Sequence, residues 1–174
     1  IYIGTGIWVY WSTDGGMNWE HGSVMPFVSL VTIDPQNTNI LYGASLGNAA
    51  RSTDYGDTWT IFPQVIDGDP SAIAANNSDN VLFGGTMGFY KSIDGGGTWN
   101  SSNIGLSASI VPDIAVAPSS PNVIYCYTSD CGLLKTTDGG ISWELLEGPE
   151  LCSGYDGLSV ETYNHQAIYL LGGP

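Results

Sequence analysis

The sequence predicts an all-β propeller made of four-stranded blades, and three observations carry that expectation. One eight-residue motif occurs four times, as Ser12-Thr13-Asp14-Gly15-Gly16-Met17-Asn18-Trp19, Ser52-Thr53-Asp54-Tyr55-Gly56-Asp57-Thr58-Trp59, Ser92-Ile93-Asp94-Gly95-Gly96-Gly97-Thr98-Trp99 and Thr136-Thr137-Asp138-Gly139-Gly140-Ile141-Ser142-Trp143. Its aspartates stand 40, 40 and 44 residues apart. Between the motifs, short runs alternate apolar and polar residues, rich in β-branched and aromatic types and broken by Gly, Pro and Asn, and nothing longer than a turn reads as helix. A period near 40 with four short strands per repeat describes one blade stacked repeatedly on its neighbours.

The elements follow in order once the repeats are aligned on the aspartate. A first strand ends in a turn at 29–35, 71–76 and 113–118. A polar turn comes next, Gln36-Asn37-Thr38-Asn39, Asn77-Ser78-Asp79-Asn80 and Ser119-Ser120-Pro121-Asn122. The second strand is Ile40-Leu41-Tyr42-Gly43, Val81-Leu82-Phe83-Gly84 or Val123-Ile124-Tyr125-Cys126. A third strand runs into one basic residue and the motif, and the motif tryptophan opens a fourth. Residues 1–6 align with a second strand, and so do residues 168–173, which follow a first strand at Leu158–Thr162. The expected division is a partial blade at 1–25, blades at 26–66, 67–105 and 106–150, and a partial blade at 151–174. Ile1 opens within a strand-like run, so the sequence reads as processed, excised or part of something larger. Bare sheet edges are templates for pairing, which makes self-association or the remainder of a larger propeller the expected protein partner.

Charge narrows the function. The 174 residues carry a net charge of −14, with Arg51, Lys91 and Lys135 as the basic side chains. Phosphate neutralisation needs Lys and Arg, so nucleic-acid binding is excluded. An anionic membrane surface would repel the chain, and no apolar run is long enough to span a bilayer. The scarcity of Lys and the abundance of Ser, Thr, Asn and Gly suggest secretion. Asn76-Asn77-Ser78 and Asn100-Ser101-Ser102 are acceptor patterns for glycosylation at Asn76 and Asn100. Cys126, Cys131 and Cys152 are an odd set, with Cys126–Cys131 across a hairpin and Cys131–Cys152 as the two plausible bridges.

The motif itself reads as a turn staple. Its glycines tolerate unusual backbone angles, its Asp and Ser accept from nearby amides, and its Trp supplies an apolar body beneath the turn. Asp14 with Trp19, Asp54 with Trp59, Asp94 with Trp99 and Asp138 with Trp143 are therefore structural pairs. No cofactor or metal site is expected. Calcium is the ion such acids would take, but calcium loops gather several oxygen ligands close in sequence, and each motif offers one or two acids a blade away from the next.

The pattern Ser-x-Asp-x-Gly-x-Thr-Trp resembles the Asp-box, or BNR, repeat family. That family includes sialidases, sortilin-type receptor domains, photosystem II assembly factors of the Ycf48 type and the xyloglucan-cleaving glycosidases of family 74. The resemblance covers nearly the whole chain and implies a box on the turn between third and fourth strands, away from the ligand face. The stretches 34–42 and 51–59 look most like the family 74 and sortilin-like branches. Sialidases hold a substrate carboxylate with three arginines, and Arg51 alone cannot supply that cationic clamp. The basic patch associated with the photosystem factor is also missing.

Glycoside hydrolysis needs two carboxyl groups roughly 5–9.5 Å apart, one with a raised pKa. Acids at the starts of the innermost strands are the candidates: Asp67 and Asp69 before one blade, Asp113 at the next, and Asp156 before the following one. Asp69, Asp113 and Asp156 are the catalytic candidates, set against the plainer reading of solvated loop acids. Family 74 enzymes build their cleft between two propellers, so this chain would hold only part of one. Tyr127 and Tyr155 are candidates for stacking on a sugar, and Tyr10 is expected to face opposite Trp8. The expected function is a non-catalytic extracellular platform for protein or carbohydrate contact within an assembly through its open edge strands. The alternatives are a segment of a family 74-like glycoside hydrolase acting on β-glucan or xyloglucan, and a sortilin-like peptide-binding segment.

Overall fold

A computed structural model describes residues 1–23, 28–62, 67–106, 110–128, 132–146, 155–161 and 167–172. They form strands β1 (Tyr2–Gly4), β2 (Val9–Trp11), β3 (Glu20–His21), β4 (Leu30–Ile33), β5 (Leu41–Ser45), β6 (Asn48–Ser52), β7 (Thr60–Phe62), β8 (Pro70–Ala75) and β9 (Val81–Gly85). The series continues with β10 (Gly88–Ser92), β11 (Asn100–Ser101), β12 (Asp113–Val116), β13 (Ile124–Thr128), β14 (Gly132–Thr136), β15 (Glu144–Leu145), β16 (Tyr155–Val160) and β17 (Ile168–Gly172). Every sheet is an antiparallel meander: β1-β2-β3, then β4 to β7, β8 to β11 and β12 to β15, then β16-β17. Among the described residues there is no helix. The fold is all-β, and its sheets are propeller blades.

Strands β4, β8, β12 and β16 pack side by side, which makes them the inner strands of the arc. The second strands of the three complete sheets, β5, β9 and β13, are the buried ones. All five residues of β9 and of β13 are buried, whereas β3, β11 and β15 are exposed. A strand in mid-sheet with a blade on either side has no solvent face, so it reads as a continuous apolar run, as Val81-Leu82-Phe83 does. The core is accordingly a series of seams between sheets. Val9 meets Val28 and Ala50. Ala44 and Ala49 meet Phe83. Ala72, Leu82 and Phe89 meet Ile114, Cys126, Leu134 and Trp143, the largest cluster. Phe89 stacks on Trp143 with centroids 4.3 Å apart.

The structure corrects four sequence expectations. The inner strand of the last sheet starts earlier than Leu158, so Asp156 lies inside β16 and not before it. There the register slips between Tyr155 and Gly157, making Asp156 the bulged residue. Ser71 is the matching bulge in β8. Trp8 and Tyr10, two residues apart, sit on one side and both flank His21, at centroid distances of 4.2 and 5.4 Å. Period-2 geometry demands this. Tyr127 is not in a loop but within β13, 4% exposed, so its ring has no open face for a sugar. Asn76 is buried and its amide nitrogen donates to the Pro121 carbonyl at 3.3 Å, which leaves no room for a glycan. Asn100, in contrast, is exposed on β11.

Candidate functional site

The four boxes share one hydrogen-bond plan. The leading hydroxyl donates to one carboxylate oxygen of the Asp, at 2.8 Å for Ser12, Ser52 and Ser92 and 2.6 Å for Thr136. The same hydroxyl accepts the amide of the second glycine position, Gly16, Gly56, Gly96 or Gly140, at 2.8–3.0 Å. The Asp accepts the amide four residues on, and its second oxygen accepts that residue's side chain: Asn18, Thr58, Thr98 or Ser142. At Asp94 the Thr98 hydroxyl, then the Thr98 amide and Ser92, hold the carboxyl at about 2. The Asn18 amide and side chain lower Asp14 similarly. At Asp138 slight burial acts the opposite way and is outweighed by Ser142 and Thr136. These carboxylates are saturated acceptors, locked as turn anchors.

The boxes occupy one end of the blades together with the turns between first and second strands. Tyr55, Gly95 and Gly139 donate their amides to the carbonyls of Asn39, Asp79 and Asn122 at 2.9–3.0 Å. The opposite end gathers the starts of the inner strands and the hairpins between second and third strands, because Leu30 pairs with Ala44 and Asp113 with Tyr127. The candidate acids are therefore all at the end away from the boxes.

At that end Asp67 and Asp69 are exposed on either side of Gly68. Gly68 has φ +80°, and a Cβ there would fall 2.5 Å from the Thr86 hydroxyl, so the turn requires glycine. Asp69 and Thr86 clasp each other: the Asp69 amide donates to the Thr86 hydroxyl and the Thr86 amide to the Asp69 carbonyl, both at 3.2 Å. The Tyr90 hydroxyl donates to Asp67 at 3.4 Å, and burial, then the Asp67 charge, raises the pKa of that hydroxyl. Asp113 is engaged at both oxygens, by its neighbour Ile114 at 2.8 Å and by the Leu158 amide of the next sheet at 2.7 Å. An aspartate that accepts two backbone amides, one of them from the next sheet, joins blades. The side chains of Tyr155 and Asp156 lie outside the described residues. Among the described residues no three His, Cys, Asp or Glu side chains converge as a metal site.

Sequence reasoning missed the hairpin tips. Ile7, Leu46 and Met87 are 57–59% exposed and stand at the acid end, on successive sheets. The available signal was an apolar residue beside glycine five or six places before each box. Cys126 is a free, buried thiol whose pKa burial pushes up. Cys131 and Cys152 lie outside the described residues.

Box turns in phase on consecutive meander sheets define a β-propeller whose blades share one box turn. Comparison with known proteins agrees with that class. The BNR/Asp-box repeat family profile matches residues 10–21. The chain is 29% identical over 172 residues to the xyloglucanase Xgh74A of Acetivibrio thermocellus, covering 76% of this chain and 20% of that protein. A xyloglucanase of a Paenibacillus species is 28% identical over 173 residues, with 77% and 17% covered. Among solved structures, an ancestral GH74 enzyme superposes with a TM-score of 0.75 at 21% identity, covering 97% of this chain and 25% of that one. The GH74 enzyme of Niastella koreensis gives 0.57 at 25% identity, covering 83% and 28%. YCF48 bound to D1 peptide gives 0.65 at 16% identity, covering 98% and 64%. The chain spans about a fifth of the length of the xyloglucanases it matches. No helix among the described residues is long and apolar enough to cross a membrane.

Proposed function

We propose that this chain is a run of blades from an extracellular family 74-like glycoside hydrolase acting on xyloglucan or a related β-glucan. Within it, these blades form a carbohydrate-contacting platform and do not cleave by themselves. The observation that carries this reading is the likeness to xyloglucanases across three quarters of the chain, well beyond a single box. The acid end fits polysaccharide contact. Asp67 and Asp69 are exposed acceptors for sugar hydroxyls, Met87 offers apolar surface beside them, and Leu46 and Ile7 are exposed at the same end of the neighbouring sheets. The separate, non-catalytic role of these blades rests on Asp113, whose two oxygens are committed to backbone amides.

Affinity electrophoresis in gels containing xyloglucan tests the contact, and reducing-sugar release tests the chemistry. The expected outcome is retardation by xyloglucan, weakened by Asp67→Ala with Asp69→Ala, and no sugar release. Unretarded migration in xyloglucan and other β-glucans would remove the polysaccharide reading. Sugar release by this chain alone would overturn its non-catalytic part.

A further inference from the structure

The seams between blades repeat a polar device that carbohydrate contact does not use. The residue before the leading hydroxyl of each box is Trp11, Arg51, Lys91 or Lys135. Two of the cations reach the next sheet's box. A Cβ built on Gly95 would lie 3.4 Å from the Arg51 guanidinium carbon, and one built on Gly139 would lie 3.4 Å from Lys91 Nζ. Where Trp11 stands in place of a cation, the next box carries Tyr55 at the equivalent position, with φ 61°. Glycine at this place has a positive φ in all three boxes that carry it, and at Gly95 and Gly139 the cation of the preceding sheet lies against it.

Around Gly139 the polar groups converge. From that same point Asn122 Oδ1 is 3.2 Å away and Asn76 Nδ2 3.6 Å. Asn76 is 5% exposed. Its orientation is set by chemistry, because the Pro121 carbonyl can only accept and so must face the amide nitrogen. Asn76 Oδ1 is then left buried with no donor from the described residues. Asn76, Asn80, Lys91 and Gly139 line one small pocket, whose other walls include apolar side chains such as Leu82 and Val116. About 10 Å³ of it is open to the centre of a water-sized sphere, close to what one water molecule requires. At the preceding seam Arg51 Nε is also buried and without a partner among the described residues.

We propose that the cavity between the β8–β11 and β12–β15 sheets is a binding site for one water molecule, which accepts from Lys91 Nζ and donates to Asn76 Oδ1. The ligand class follows from the walls. The lone pairs of Asn76 Oδ1 oppose an anion, the Lys91 ammonium opposes a cation, and the volume excludes anything larger. Burial lowers the Lys91 pKa while Asp138 opposes that shift, as expected of an ammonium partly withdrawn from bulk solvent. The water closes the seam by giving Asn76 Oδ1 a donor, and it does so whatever the acid end binds.

A high-resolution crystal structure of the unmodified chain, with bromide in place of chloride, tests this directly. The expected density is one peak within hydrogen-bonding distance of Asn76 Oδ1 and Lys91 Nζ, without bromide anomalous signal. An anomalous peak there would show an anion site, and Lys91 Nζ lying directly on Asn76 Oδ1 would show a dry seam; each overturns the proposal. In solution, oxygen-17 relaxation dispersion counts long-lived waters. Asn76→Leu is expected to lose one relative to the parent, and an unchanged count in the folded variant refutes the assignment.

Discussion

At the residue scale the leading hydroxyl of the box ties the turn together from a buried position. Ser92 is fully buried, donates to Asp94 and receives the Gly96 amide. Ser92→Ala strands that amide, so urea denaturation should show a loss of about 1–3 kcal/mol. Thr98→Val, at the exposed rim, should cost less than about 1 kcal/mol. The box carboxylates should also contribute to the acid side of the stability curve. Asp94 falls from its ordinary 3.8 to about 2 in the folded chain, through hydrogen bonds from Thr98 and Ser92. A depressed carboxylate contributes its stability above the unfolded pKa and loses it as pH falls through the folded one. Stability should therefore decline between about pH 4 and pH 2, and Asp94→Asn should flatten that limb. A limb identical to the parent's would remove Asp94 from the explanation. Because hydrogen bonds cause the shift, added salt should leave most of it intact. The staple was legible in Ser-x-Asp-x-Gly-x-Thr-Trp. The exception was not: the Trp19, Trp59 and Trp99 indoles donate to their own box glycines, whereas Trp143 donates across the seam to Ser102.

At the element scale the seams decide which strands matter. The sequence makes Asp113 a candidate acid, and its position at the start of an inner strand is legible there. Its role depends on Leu158, 45 residues away, and no local pattern reports a bond across two sheets. Asp113→Ala should loosen β16 against β12, so amide hydrogen exchange at Leu158 should speed up by about tenfold or more. Asp113→Asn keeps an oxygen for the same amide and should change it much less. Equal exchange in parent and Asp113→Ala would refute the inter-sheet role. Bulges at Ser71 and Asp156 show why strand starts are hard to read: one extra residue leaves the period-2 pattern intact on either side while shifting its phase.

At the scale of the whole molecule the two ends of the blades have different work. One end is held by saturated aspartates and by the turns they clasp, and the other leaves Asp67, Asp69 and three apolar hairpin tips open. Contact with a neutral polysaccharide at that end needs no ion pairing, so xyloglucan retardation should change little between low and moderate salt. A steep salt dependence would point to a charged ligand. The division into ends was implied by the resemblance to Asp-box repeats, which puts the box away from the ligand face. The tips were overlooked because exposed apolar residues are common and carry meaning only when several share one face.

The sequence by itself determined the all-β class, the blade period and the box staples. Each of these rests on local chemistry, which is written in residue order. Only the tertiary structure decided that Asp113 is a link, that Tyr127 and Asn76 are buried, and that Lys91 meets Gly139. Those facts arise where one sheet lies against the next, between residues far apart in the chain, and burial there depends on what the neighbouring blade presents.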